Sequence, residues 1–197
     1  MNEDALIPVN RSFFKQPTLV LAEQLLGCLL VHHTKEGLLA GKIVETEAYL
    51  GKEDRAAHSF NNRRTKRTEI MFHEAGLAYI YTMHTHHLFN VVTAEEGNPQ
   101  AVLVRGIEPI AGEELMQNNR PVKERKNLSS GPGKLTKAMG IDLSHYGHPL
   151  WEKPLYIAKG EHPEAIKIGK RIGIPNALEA TDFPYRFWIP NNPFVSK

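Results

Sequence analysis

Cysteine is almost absent. Cys28 is the only one in 197 residues, so no internal disulfide can form. Its place in the apolar run LLGCLLV marks a core residue in a reducing compartment rather than a nucleophile. Also lacking is any apolar run near the ~20 residues that cross a bilayer. The opening MNEDALIPVN has neither the basic nor the apolar segment of a secretory signal, so a cytoplasmic location is expected. Charge of one sign is scarce too: 24 Lys and Arg against 22 Asp and Glu leave +2, too little to announce a nucleic-acid partner by itself. No repeat, low-complexity tract or linker-like stretch interrupts the chain. Its length suits one domain with a sizeable core and is tight for two, so residues 1–197 are expected to form one domain.

What is present reads mostly as strands. Pro17 followed by TLVLAEQLL predicts a short helix ended by Gly27. CLLVHH and LLAGKIVETEAY flank the turn-like TKEG and predict a hairpin. The stretch from Gly51 to Lys66 has turn chemistry and many charges, as a long loop does. LAYIYTM, HLFNVVT and QAVLVRGIEP predict three more strands. GEELMQNN and SGPGKLTKAMGI predict helices, the second closed by Gly140, and PLYIAK, AIKIGKR and RFWIP predict short strands. Frequent hairpins with single helices at the edges predict an α+β fold around an antiparallel sheet.

Several groups of residues could carry chemistry. Glu45, Glu47 and Tyr49 alternate onto one face of a strand. If that face is solvated they are ordinary charges. If it is enclosed, repulsion and desolvation raise carboxylate pKa values, which suits a general base. Tyr79 and Tyr81 share a face and offer either core-edge packing or a stacking surface, with Tyr49 and His58 as a possible opposite wall of a slot. In HTHH, His84 and His86 would share a strand face, which opens a metal-dependent hydrolase reading centred on His84, His86 and His87. SGPGKLT is not a nucleotide-binding P-loop, because Leu128 and Leu135 stand where that pattern needs Gly and Ser or Thr. It remains a glycine-rich helix start carrying Lys134, suited to one phosphate of a polymer. RRTKR at 63–67 and KERK at 123–126 add basic clusters.

Taken in order, VETEAYLGKEDRAAHS, MF, AYIY, FNVVT, AVLVRGIEP and SGPGKLTKAMGI, with the ending RFWIPNNPFVS, resemble the alkyladenine (mammalian-type 3-methyladenine) DNA glycosylase family. The blocks agree in order and spacing from about Leu21 to Ile141. The resemblance implies a mixed fold on a curved antiparallel sheet, distinct from the helix-hairpin-helix glycosylases. It implies a monofunctional hydrolase of base excision repair that needs no metal and no other cofactor. The partner would be double-stranded DNA containing damaged purines, bound by a monomer without a membrane or an obligatory protein partner.

By the same resemblance, Glu47 falls on the general base and Arg105 on an arginine that helps hold the attacking water. Tyr49, His58 and Tyr81 fall on residues that sandwich a flipped base, and Asn90 on one that crowds the exocyclic amine of guanine. Arg63, Thr65, Arg67 and Lys134 match positions near DNA phosphates. Glu45 receives no single role; structural support and pKa coupling are both open. After AYIY the family usually has a Tyr-Gly pair whose tyrosine enters the duplex; here His84 and Thr85 stand instead, so His84 is the expected wedge. A damage-binding module without turnover is a third reading, opposed by the presence of both Glu47 and Arg105.

Overall fold

The computed structural model describes residues 6–196. Helix α1 (Thr18–Gln24) starts directly after Pro17, whose fixed φ suits a helix entry, and the chain turns away at Gly27 with φ +88°. Strands β1 (Leu29–His33) and β2 (Leu38–Tyr49) make the expected hairpin. Strands β3 (Ala78–Met83), β4 (His86–Thr93) and β5 (Gln100–Ala111) follow as an antiparallel meander. Helices α2 (Glu113–Asn119) and α3 (Pro132–Met139) come next, and Gly140 closes α3 in the left-handed region. Short strands β6 (Leu155–Ala158), β7 (Lys167–Gly169) and β8 (Arg186–Trp188) complete the sheet. Between Gly51 and Lys66 the expected loop contains two single 3-10 turns, Gly51–Glu53 and Phe60–Asn62.

All eight strands belong to one curled antiparallel sheet. Its order is β3-β4-β5-β2-β1-β6, with β8 on β2 and β7 on β8. The α+β architecture around a curved antiparallel sheet with flanking helices is therefore as expected. β2 is the pivot. One of its edges pairs with β5 from Ala40 to Tyr49; the other pairs with β1 through Lys42 and then with β8 from Glu45 to Glu47. The register shifts at Ile43, Glu45 and Thr46, where the changeover occurs. Such an irregularity bends a strand and re-aims its side chains.

Alternation gives the two faces different work. Ala48, Ile80, Phe89, Val91, Val102 and Val104 enter the main core with Leu21 of α1, Leu25 just after it, and Leu135 and Met139 of α3. Burying each such large side chain stabilises the fold by about 1.5–3 kcal/mol. On the other face, Tyr79, Val92 and Ala101 pack with Met71 and Leu77 in a smaller cluster. That face continues into Glu47, Asn90, Leu103 and Arg105, all buried. Among the described residues no helix is long and apolar enough to cross a membrane.

Candidate active site

Glu45 and Glu47 are both fully buried, which excludes the solvated reading of this strand face. Their cover comes from β8 and from the segment that follows β7. Glu47 accepts three hydrogen bonds: from the Ile172 backbone N–H to Oε1 at 2.7 Å, and to Oε2 from the Tyr49 hydroxyl at 2.9 Å and Arg105 Nη1 at 3.3 Å. Desolvation still dominates and pushes the Glu47 pKa above its ordinary 4.5, against the pull of Arg105, Ile172 and Tyr49. The geometry thus holds a carboxylate with increased proton affinity beside a fixed cation.

Glu45 explains how that cation is fixed. Its Oε1 accepts from Arg105 Nε at 3.1 Å, Arg186 Nε at 2.7 Å and Ser196 Oγ at 2.8 Å, and its Oε2 from Ser196 N at 2.6 Å. Arg105 in turn donates from Nη2 to Ser196 Oγ at 3.1 Å. Two carboxylates and two guanidiniums therefore meet in one buried network, balanced in charge. Glu45 ties β2 and β5 to the chain near Ser196, a role that its sequence position did not disclose.

Beside this network is a cavity of about 350 Å³ lined by Tyr49, His58, Tyr79, Tyr81, Asn90 and Arg105, with Met83 among the further lining residues. That volume lies within the range of small-molecule sites. Tyr49 and Arg105, two of these lining residues, are hydrogen-bonded to Glu47. Tyr79, Tyr81 and Met83 reach the cavity because they alternate onto one face of β3. The Tyr79 and Tyr81 rings are 5.4 Å apart. Burial raises both phenol pKa values, that of Tyr81 to about 12, so both stay neutral.

His58 does not face this pair across a slot. Its ring stands edge-on to Tyr81, 4.5 Å between centroids at 83°, and its Nδ1 lies 2.8 Å from the Tyr79 hydroxyl. The His58 and Tyr81 rings therefore meet at a corner and do not form two parallel walls. Burial first, then the charges of Arg67 and Arg63, lower its pKa to about 4. His58 is therefore a neutral wall near pH 7. Asn90 donates from Nδ2 to the Tyr79 carbonyl at 3.0 Å, which fixes its amide at the β3–β4 junction.

The basic residues adjoin this cavity. Arg67 lies 6.0 Å from the Tyr81 ring centre, and Arg67 and Arg63 are both exposed. Thr65 bonds Thr68 and holds their short turn. Pro132, at the start of α3, lines the cavity, and Lys134 follows it half-buried. A side-chain carbon added at Gly133 would meet His86 at 2.7 Å, so only glycine lets the β3–β4 turn pack on α3 this closely.

His84 is exposed at that turn with φ +53°, and this left-handed residue interrupts the strand. His84 and His86 therefore do not share a strand face as the alternation suggested. Among the described residues no group of three or more His, Cys, Asp or Glu is placed to hold a metal ion, so the histidine-rich turn is not a metal cluster. Cys28 is buried, with its thiol pKa pushed up to about 11 by burial, as an inert core thiol.

Arg171, Ile172, Arg186 and Ser196 escaped the sequence reading. AIKIGKR and RFWIP carried signals for strands only, and the carboxylates these residues bind, Asp54, Glu47 and Glu45, lie more than a hundred positions away.

The methylpurine-DNA glycosylase family model matches residues 12–193. A Bacillus subtilis protein is 58% identical over 190 residues, covering 96% of this chain and 97% of its own. One from Oceanobacillus iheyensis is 55% identical over 190 residues, 96% of each chain. One from Listeria monocytogenes is 46% identical over 191 residues, 96% of this chain and 92% of its own. All three bear the name "Putative 3-methyladenine DNA glycosylase". The chain belongs to the methylpurine-DNA glycosylase family, enzymes that hydrolyse N-glycosyl bonds.

Proposed function

We propose that this enzyme flips alkylated purines out of duplex DNA into the cavity beside Glu47 and hydrolyses their N-glycosidic bond, leaving an abasic site. The observation that carries this reading is the buried Glu47–Arg105 pair next to a cavity walled by Tyr49, His58 and Tyr81. Glu47 acts as general base on the attacking water, and Arg105 holds that water and the carboxylate in register. An enclosed base carrying the positive charge of N3 or N7 alkylation gains on the order of 1–2 kcal/mol from an electron-rich ring. That gain helps offset extrusion, which costs a few kcal/mol and less for a poorly stacked damaged base. His58 adds no competing positive charge, because it is neutral.

The same charge weakens the glycosidic bond, so 3-methyladenine and 7-methylguanine are the favoured substrates. Hypoxanthine and ethenoadenine are neutral leaving groups and depend more on the duplex being held open. Asn90 discriminates against normal guanine at its exocyclic amine. Arg63, Thr65, Arg67 and Lys134 contact phosphates and position the duplex without reading sequence. His84 enters the duplex where the flipped base has left. The reading needs no metal, other cofactor or protein partner, and describes a cytoplasmic monomer working on DNA.

Two labelled duplexes test it, one with 7-methylguanine and one with hypoxanthine, incubated with the protein in EDTA and then cut with alkali. Cleavage of the methylated duplex is expected. No cleavage of either, with activity appearing on zinc addition, would count against the reading and for a metal hydrolase.

A further inference from the structure

Arg171 lies wholly inside the protein, and the chemistry above makes no use of it. Its fork grips Asp54, Nη1 to Oδ2 at 2.5 Å and Nη2 to Oδ1 at 2.8 Å, and donates further to the carbonyls of Ala48 and Ala180. The guanidinium carbon is 4.7 Å from the Tyr49 ring centre and 5.3 Å from that of Tyr185. Arg171 is not among the cavity-lining residues, so it covers Tyr49 from behind. Asp54 meanwhile accepts from the amides of Leu50 and Ala56. The residue after Arg171 is Ile172, whose amide holds Glu47 Oε1.

One planar cation therefore stacks on the Tyr49 ring and grips Asp54 in the segment leading to His58, while its own backbone runs directly into Ile172 of the cavity wall. Only an arginine can stack on rings and fork onto a carboxylate together; a lysine is a point charge without that plane. We propose that Arg171, held by Asp54, is a positioning residue that sets the Tyr49 ring and the Ile172 amide against Glu47 as a single unit. Its effect on the rate rests on the glycosylase reading, whereas its effect on geometry does not.

The groups facing Glu47 are Arg105 from β5, Glu45 and Tyr49 from β2, Tyr81 from β3, and the Ile172 amide. Of these, the Ile172 amide depends most directly on Arg171. Releasing that amide removes a bond to the charged carboxylate, so Glu47 should titrate at higher pH.

The test uses Arg171→Lys and Asp54→Asn in the full chain. Carbon-13 spectra follow the Glu47 carboxyl, nitrogen-15 spectra follow the Ile172 amide, and single-turnover release from a 7-methylguanine duplex gives the rate. Expected are an upward shift of the Glu47 titration, an upfield shift of the Ile172 amide proton, and a rate loss on the order of a hundredfold. Affinity for a duplex carrying an abasic analogue should not change. Folded variants with Glu47 and Ile172 resonances unmoved would overturn the proposal whether or not the protein releases bases. A wild-type protein that releases none would sink the glycosylase reading and leave the spectroscopic test in force. If both variants fail to fold, hydrogen exchange of the wild type decides. Leu50, Ala56 and Ile172 amides should open together with one free energy, and three separate values would refute a single unit.

Discussion

The Ile172 amide donates to Glu47 Oε1 at 2.7 Å across 125 residues of sequence, in a site that burial would otherwise make hostile to a carboxylate. It is the shortest of the three bonds that hold Glu47, and it comes from the backbone, so no substitution at 172 other than proline removes the donor.

Replacing Glu47 by Gln keeps the shape and one acceptor oxygen but removes the base and sets an NH2 group where the second oxygen accepted. Release of 7-methylguanine should fall by about 10²–10⁴, while affinity for the lesion duplex in a gel-shift assay stays the same. Retained cutting together with lost binding would be the opposite of what the geometry predicts.

The same substitution should change how stability depends on pH. The folded-state pKa of Glu47 is raised above its unfolded value, so the favourable contribution is complete below about pH 4.5 and is lost as pH rises through the folded value. At pH 7 the carboxylate is a burden that Gln lacks. Melting temperatures of the two proteins should differ most near pH 7 and converge toward pH 4.5.

His58 has the contrary sign. Its folded pKa is lowered to about 4 from 6.5, so its contribution is present above 6.5 and is lost as pH falls through 4. His58→Gln should flatten this part of the stability profile. A profile unchanged between pH 6.5 and 4 would mean the ring is solvated in solution.

At the β3–β4 turn, His84 sits at φ +53°, where most side chains are strained and glycine is not. His84→Gly should add about 1 kcal/mol to stability in urea unfolding. Hypoxanthine release should drop more than 7-methylguanine release, because a side chain that fills the duplex is gone. Equal loss on both lesions would remove His84 from that role.

Arg67 stands exposed 6.0 Å from the Tyr81 ring. Arg67→Ala should weaken binding to damaged and undamaged duplexes alike and reduce the salt slope of log K by about one. A loss confined to damaged DNA would instead assign Arg67 to the base.

The sequence was most informative where one strand repeats its own period. In β2 and β3, alternation alone puts Glu47 with Tyr49 and Tyr79 with Tyr81 on one side, whereas Arg105 stands at a register shift of β5 and was reached only through the family resemblance. Alternation could not say that this side is enclosed, because the cover arrives from residues 171–174 and 186–196. His84 was misread as strand since a two-residue turn with one left-handed histidine leaves no mark in a polar run. The edge-on stance of His58 depends on a hydrogen bond to Tyr79, set by the loop after Gly51 and invisible to periodicity. Arg171 and Asp54 drew no separate reading from the sequence; only their pairing through the core gives them a place.

The two-part edge of β2 also bears on the order in which the molecule is made. β1 can dock as soon as its hairpin is synthesised, whereas Arg186 and Ser196 reach Glu45 from 141 and 151 residues later. A growing chain on the ribosome can thus assemble most of its sheet with both glutamates still hydrated, and bury them only in its last step. Contacts of such separation form late and slowly. A chain lacking β8 and the segment around Ser196 would lack the partners that close over Glu45.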